Sequence, residues 1–439
     1  MLSSGDVQLR LKTRPDPAVP NVRFNHGMRI FSAIRHSFDS TEFYGSLWSS
    51  NFYPALRRLG HFVVESKTDL APCSRFMEVP DRFTSEETAV RGRVTELILD
   101  EVRTALKTGP LDLFLGYFYN SHFDPAGFDE LRRLGIPSVN FYCNSIYQFP
   151  LVAAIAEKVD HSWHPERDAR PLYLAVGGRP VWVQMGADPE VYRPITGIPR
   201  ALRACFIGQR YADRDQLAAA VLSAGLPLDL YGANWGTRPA VKESDSHPSI
   251  VSPPSEPATY LGRVQHRPAS WRSHLQAGIK ILRTDGPVSG TLRLVRRRHL
   301  RRAVRSVEPL LASAARGRAA DLATTFSSYE LAVNFSNVWA DGLPGSALIP
   351  HVRLRDFEAP MSGACYLTGH TDEILDFYQA GVEIDTYRGV DELVDKTRFY
   401  LANPKTAASM RTAGLRRALR DHTWDRRFED LFRKIEIAG

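Results

Sequence analysis

Short apolar runs of strand character alternate with longer amphipathic stretches along most of this chain, and the alternation stops and restarts near residue 200. MRIFSAI (28–34), HFVVES (61–66), DLFLGYF (112–118), IPSVNFYC (136–143), DHSWHP (160–165) and PVWVQMGA (180–187) read as buried strands. Between them lie helical patterns, the strongest being 84–109, which opens on Thr84 with Glu86 and Glu87 in its first turn and then repeats apolar residues at three and four. Residues 35–53 read as a polar and aromatic loop ahead of a helix in PALRRLG (54–60). Such an order of elements predicts a parallel, doubly wound sheet.

A Pro- and Gly-rich stretch, 187–200, suits a linker, after which strands at ACFIG, PLDLYGA, ELAVNFS, ACYLTG and VEIDTY alternate with helices at 214–225, around 355–362, at 371–381 and at 391–403. The reading divides the chain into an N-terminal arm (1–27), a Rossmann-like domain (28–195), a second one (200–410) and two closing amphipathic helices (411–439). Residues 236–325 exceed one sheet connection and are expected to form an insertion or lid.

Charge is concentrated in one place. The net +7 comes from 293–318, with nine arginines against the single acid Glu308, and the rest is close to neutral. Basic and apolar residues at helical spacing there suit a solvated helix face, or contact with an anionic membrane surface or polyanionic substrate; nothing else points to nucleic acid. With no apolar run near the roughly 20 residues that cross a bilayer, and no basic-then-apolar start, a cytoplasmic protein is expected, membrane-peripheral at most. Cys73, Cys143, Cys205 and Cys365 show no paired spacing, so neither disulfides nor a cysteine metal site is expected.

Ligands of open parallel sheets bind beyond the carboxyl ends of the strands. In the second domain the loop FIGQRYADR (206–214) offers Gly208 for close backbone approach and Arg210 and Arg214 as a clamp for a diphosphate. HVRLRDFEAPMSGACYL (351–367) places Arg353, Arg355 and Glu358 at a helix start, where a carboxylate can take two ribose hydroxyls. In the first domain His36 and Asp39 follow the first strand, and His122 follows the third; each can hold or deprotonate a hydroxyl. HExxH, CxxC pairs, GxSxG, GxxxxGK[ST] and a clean GxGxxG are missing, so zinc protease, P-loop and ordinary dehydrogenase readings lack support.

The ordered blocks FIGQRYADR, LDLYGANW, SSYELAVNFS, RLRDFEAPMSGACYLTGHTDEI, GVEIDTYRGVDELVDKTRFYLANP and DHTWDRRFEDLF resemble the C-terminal half of the CgeB-like, spore maturation protein type glycosyltransferases, relatives of glycosyltransferase group 1. MRIFSAI, YPALRRLGH and PVWVQMGADPEVYRP resemble that family's N-terminal domain. The resemblance implies a GT-B fold with two Rossmann-like domains facing a cleft. It implies a nucleotide-diphosphate sugar as donor substrate, a small-molecule, glycan or protein acceptor, and no obligatory metal or other cofactor. It implies that Arg210 and Arg214 take the diphosphate, that Glu358 takes the ribose, and that Ala359 to Gly363 line the same pocket. Two departures stand out: Pro350 occupies the place of an earlier glutamate, and no lysine follows the phosphate loop. A GT-B epimerase or hydrolase, or a non-catalytic binder of anionic polymers working through 293–318, is the alternative.

Overall fold

The computed structural model describes residues 27–38, 43–236, 286–342 and 344–436. Apolar runs become two parallel sheets. The first joins β1 (Arg29–Ala33), β2 (Phe62–Glu65), β3 (Leu113–Gly116), β4 (Ser138–Phe141), β5 (His161–His164) and β6 (Pro180–Trp182) in the order β2-β1-β3-β4-β5-β6. The second joins β7 (Ala201–Ile207), β8 (Leu228–Tyr231), β9 (Tyr329–Asn334), β12 (Tyr366–Gly369) and β13 (Asp385–Tyr387) in the order β13-β12-β9-β7-β8. A separate antiparallel pair, β10 (Val338–Trp339) with β11 (Leu348–Ile349), sits between β9 and β12 in the chain. β3, β4 and β9 are buried along their whole length, which is why they read as continuous apolar runs instead of alternating ones.

In each sheet the chain leaves the first strand toward one side and returns on the other, so a crevice opens at the carboxyl ends of β1 and β3, and another at β7 and β9. Helices cover the sheets: α1 (Phe43–Arg58), α2 (Ser85–Leu106), α3 (Ala126–Arg133), α4 (Ser145–Gln148), α5 (Ala153–Lys158) and α6 (Arg170–Ala175) in the first domain, α7 (Arg214–Ser223) in the second. α2 starts where its sequence says, with Thr84 Oγ1 accepting from Glu87 N and the Glu87 carboxylate accepting from Thr84 N. The loop expected over 35–53 is instead largely α1, because Trp48, Phe52, Ala55 and Leu56 fall on one buried face at helical spacing. Its many aromatics hide the period.

The arginine run also corrects an expectation. Residues 287–314 form one long helix, α8 (Pro287–Ala314), followed by α9 (Leu322–Ser327). Together they make the crossover from β8 at the sheet edge to β9 on the far side of β7. The end of α8 is core: Leu311 and Ala314 pack with Leu217, Val221 and Trp235, and Arg316 N donates to Leu230 O. This part of the expected insertion is the fold itself. Residues 237–285, the rest of it, lie outside the described residues, as do nearly all of the expected arm and Asp39.

α10 (Arg355–Met361), α11 (Val390–Ala402), α12 (Pro404–Asp421) and α13 (Trp424–Lys434) complete the chain. Of the helix expected over 371–381 only a single turn, Glu373–Asp376, forms. α13 returns to the first domain, where Trp424 Nε1 donates to Asn51 Oδ1 at 2.8 Å and Phe52 packs between Trp424 and Phe428. Arg58 of α1 clamps both oxygens of Asp425. Among the described residues no helix is long and apolar enough to cross a membrane.

Candidate functional site

At the first crevice the loop after β1 meets the loop after β3. His36 Nε2 lies 2.6 Å from Tyr117 O, and the ring stacks on Tyr117 and lies close to His122. A carbonyl only accepts, so Nε2 carries the hydrogen and Nδ1 keeps its lone pair. Burial pushes the His36 pKa down to about 4, against a smaller upward pull from the Tyr117 carbonyl, so the ring is neutral at physiological pH. His122 is different. Its Nδ1 accepts from Tyr119 N, its Nε2 donates to Ser74 Oγ, and it is wholly buried.

Both nitrogens of His122 are therefore committed to the loop, and burial followed by the neighbouring His36 holds its pKa far down. His122 is a satisfied core histidine; the sequence expectation of a proton acceptor there fails on this geometry. Tyr117 and Tyr119 share a hydroxyl contact at 3.3 Å beside Cys143, and burial raises the pKa of both phenols. The first crevice thus carries uncharged tyrosine and histidine side chains, beside the ion pair of Arg35 with Glu65.

At the second crevice β7 ends in Gly208, where a Cβ would meet the Phe206 ring at 2.7 Å and crowd Arg214. Gly232, at φ +129, comes so close that its own Cβ would lie 2.2 Å from Gly208 O. Here the backbone approach requires glycine at both positions. Arg214 is buried: Nη1 donates to Gln209 O, Nε donates to Phe335 O across the crevice, and the guanidinium lies over the rings of Phe206 and Tyr211. Burial first, and then the positive charge of Arg353, push the Arg214 pKa down to about 9.

Arg210 is not the free clamp that its sequence position suggests. Its Nη1 and Nη2 pair with Glu308 of α8 at 2.8 and 2.6 Å, and Nε pairs with Asp215 at 2.5 Å. Two carboxylates neutralise it, so it staples α8 to the start of α7, and Glu308 is the one acid of the arginine run. Arg293, also from that run, is paired to Asp341.

The loop before α10 forms the facing wall. Asp356 fixes it by accepting from Arg353 N at 2.6 Å, Tyr366 Oη and Thr368 Oγ1. Arg355 ion-pairs with Glu358, which is buried beside Tyr192 of the linker. Ala359 is core, and Gly363 turns the chain at the far end of α10 against Pro194. Of the stretch expected to line a ribose pocket, Glu358 is ion-paired to Arg355, Ala359 is buried and Gly363 packs against Pro194.

Arg353 has no ion pair among the described residues, and its Nε is buried without a partner. Its charge acts on Arg214 and Tyr211 of the second domain and on Tyr147 and Cys143 of the first, so it stands between the two crevices. Three further buried polar atoms without partners belong to the same two loops: Gln209 Nε2, Asp213 Oδ1 and His351 Nδ1. Buried polar groups are normally satisfied, so such a concentration marks a place where water or a ligand belongs.

His351 and Glu166 were not singled out by the sequence. Glu166, in the loop after β5, accepts from Ser145 N and Ile146 N through Oε2 and from His351 Nε2 through Oε1 at 2.6 Å. The pair is 3% and 4% exposed and joins the two domains. The signal was available in HPERD, an acid just past a strand's carboxyl end, and in a histidine next to Pro350. Among the described residues no three His, Cys, Asp or Glu side chains group as metal ligands, and all four cysteines are buried thiols.

Comparison with known proteins follows this geometry. Residues 296–433 match a family described as glycosyl transferase-like, a span that begins inside α8 and so includes about two thirds of the arginine helix. No curated protein sequence matches the chain. Among solved structures, sucrose-phosphate synthase from Thermosynechococcus elongatus superposes with a TM-score of 0.54 at 13% identity, over 94% of this chain and 100% of that one. Anabaena Alr3699/HepE in complex with UDP gives 0.52 at 10% identity, over 93% and 99%. AviGT4, a glycosyltransferase involved in avilamycin A biosynthesis, gives 0.50 at 14% identity, over 94% and 98%. The chain has the GT-B fold, two parallel-sheet Rossmann-like domains, and residues 296–433 are similar to a glycosyl transferase-like family.

Proposed function

We propose that this protein is a glycosyltransferase that moves a sugar from a nucleotide-diphosphate sugar to a hydroxyl-bearing acceptor. The observation that carries the reading is the pair Arg214 and Arg353, two guanidiniums without carboxylate partners among the described residues, at the topological switch point of the second sheet. Arg214 is buried and Arg353 is half-buried with a buried Nε, and cations so placed are costly unless an anion completes them; a diphosphate is an anion of matching charge. The glycosyl transferase-like match and the UDP held by one structural neighbour support this choice.

In this reading the sugar's C1–O bond to phosphate breaks as the acceptor oxygen attacks C1, and Arg353 stabilises the charge building on the departing diphosphate. If the configuration inverts, the lone pair on His36 Nδ1 is the proton acceptor that the described first-domain candidates leave in place. A CgeB-like subtype, action without an obligatory metal and a cytoplasmic location belong to the same proposal through the sequence resemblance. The acceptor or its carrier docks peripherally on α8, where Arg296, Arg298, Arg302 and Arg305 are exposed beside Val288, Leu292 and Val295.

The test is thermal stabilisation of the purified protein by UDP, GDP, dTDP, CDP and ADP and by their glucose conjugates. A shift with one base names the donor class. If none of these ligands moves the melting temperature at concentrations far above ordinary dissociation constants, the reading fails and a non-catalytic binder of polyanions takes its place.

A further inference from the structure

We propose that His351 contacts a hydroxyl of the transferred sugar through Nδ1, with Glu166 as the positioning residue that aims it from the other domain; this rests on the donor reading above. Among the described residues His351 Nδ1 is buried and without a partner, two residues from Arg353 whose Nε is also without one. Both side chains neighbour Tyr147 of α4: the His351 ring packs edge-on against it at 6.0 Å, and the Arg353 charge acts on its phenol. A ligand that completes Arg353 therefore ends beside His351.

The chemistry of the ring selects what it meets. Glu166 accepts only, so Nε2 must carry the hydrogen of the 2.6 Å bond, and in the neutral ring Nδ1 is left as an acceptor. An acceptor cannot bond the oxygens of an ionised phosphate, but it takes the O–H of a sugar. Glu166 is itself held by the backbone N–H groups of Ser145 and Ile146, so the imidazole is anchored to the first domain while its chain belongs to the second. Sugar recognition and the approach of the two domains are thus joined in one hydrogen bond.

The experiment compares UDP with UDP-glucose, and each other diphosphate with its glucose conjugate, on wild-type, His351→Ala and Glu166→Gln proteins by calorimetry. The expected result for His351→Ala is about tenfold weaker binding of the conjugate, from the unpaired hydroxyl, with diphosphate affinity unchanged. Glu166→Gln places an N–H opposite His351 Nε2, which turns the tautomer and makes Nδ1 a donor. The conjugate then weakens by a smaller factor, because a hydroxyl can also accept. Equal losses for diphosphate and conjugate, or tighter diphosphate binding in Glu166→Gln, would place the ring at the phosphates and overturn the assignment. Unchanged conjugate binding in His351→Ala overturns it as well. Wild-type protein that binds none of the ligands defeats the donor reading together with this one, whereas intact diphosphate binding with no sugar discrimination defeats this one alone. If His351→Ala does not fold, His351→Asn carries the same comparison.

Discussion

The two crevices are built on the same topology and furnished with opposite chemistry. Beyond β1 and β3 the walls are tyrosines and histidines whose charge has been removed by burial. Beyond β7 and β9 they include Arg214 and Arg353, neither ion-paired to a carboxylate among the described residues. A sheet edge alone does not choose a ligand; the residual charge of its loops does. The neutral side suits a hydroxyl-bearing acceptor and the cationic side suits a diphosphate. The comparison also separates arginines that look alike in sequence, because Arg210 is neutralised and Arg353 is not.

Arg210→Ala tests that separation with the largest expected effect. Removing it strands Glu308 and Asp215, two partly buried carboxylates, and breaking such a cluster costs about 3 kcal/mol. Chemical denaturation should show this loss, while the folded fraction still binds the diphosphate as wild type does. More than tenfold weaker diphosphate binding at nearly unchanged stability would return Arg210 to the donor clamp and blur the distinction. Arg353→Ala should do the reverse, with diphosphate affinity falling by roughly 2 kcal/mol, about thirtyfold, as a charge-assisted contact disappears. Stability without ligand should hold or rise, because Arg214 loses a like-charged neighbour.

The sequence shows the architecture well and the site only in outline, for reasons visible at particular residues. Strands buried on both faces write themselves as apolar runs, and the capping box at Thr84 is local, so these were readable. α1 hides because its buried face is written in aromatics among serines, and α8, whose helical spacing is visible, reads as part of an insertion because nothing local marks its far end as core. Loop position gave Arg214 and Arg353. What sequence cannot display is partnership across long separations: Glu308 lies 98 residues from Arg210 and Glu166 lies 185 from His351. Those two contacts decide which cations and which imidazole are available.

The first crevice is tested by pH. His36 and His122, with His164 and His422 elsewhere, all have depressed pKa values caused mainly by burial. Their neutral forms stabilise the fold fully above the unfolded value of 6.5, and that stability is lost as pH falls toward about 4, where the folded-state His36 and His164 protonate. Unfolding free energy should fall by several kcal/mol across that window, on the order of 3 kcal/mol for each ring whose value drops to about 4. His36→Gln, which keeps an N–H for the Tyr117 carbonyl, should give a shallower slope. An unchanged slope would mean that His36 titrates in the folded protein as it does in the unfolded chain, and burial of its ring would no longer account for its neutrality.

Glu373 has the opposite sign and the smallest effect. It sits where the two domains meet, accepting from Arg167 N and from Gln184 Nε2, and burial, aided by Glu166, raises its pKa to about 7. A carboxyl whose folded value lies above its ordinary 4.5 binds its proton more tightly in the folded state, so its favourable contribution is present at acid pH and lost as pH rises from 4.5 through 7. Glu373→Gln keeps an acceptor for both donors and removes the titration. It should match wild type near pH 5 and exceed it by about 1 kcal/mol above pH 7, the part of the shift that survives solvent screening. A variant no more stable than wild type at pH 8 would show that Arg167 already compensates the charge. The domain contact would then be an ion-paired surface, unlike Arg353, which has no ion pair among the described residues.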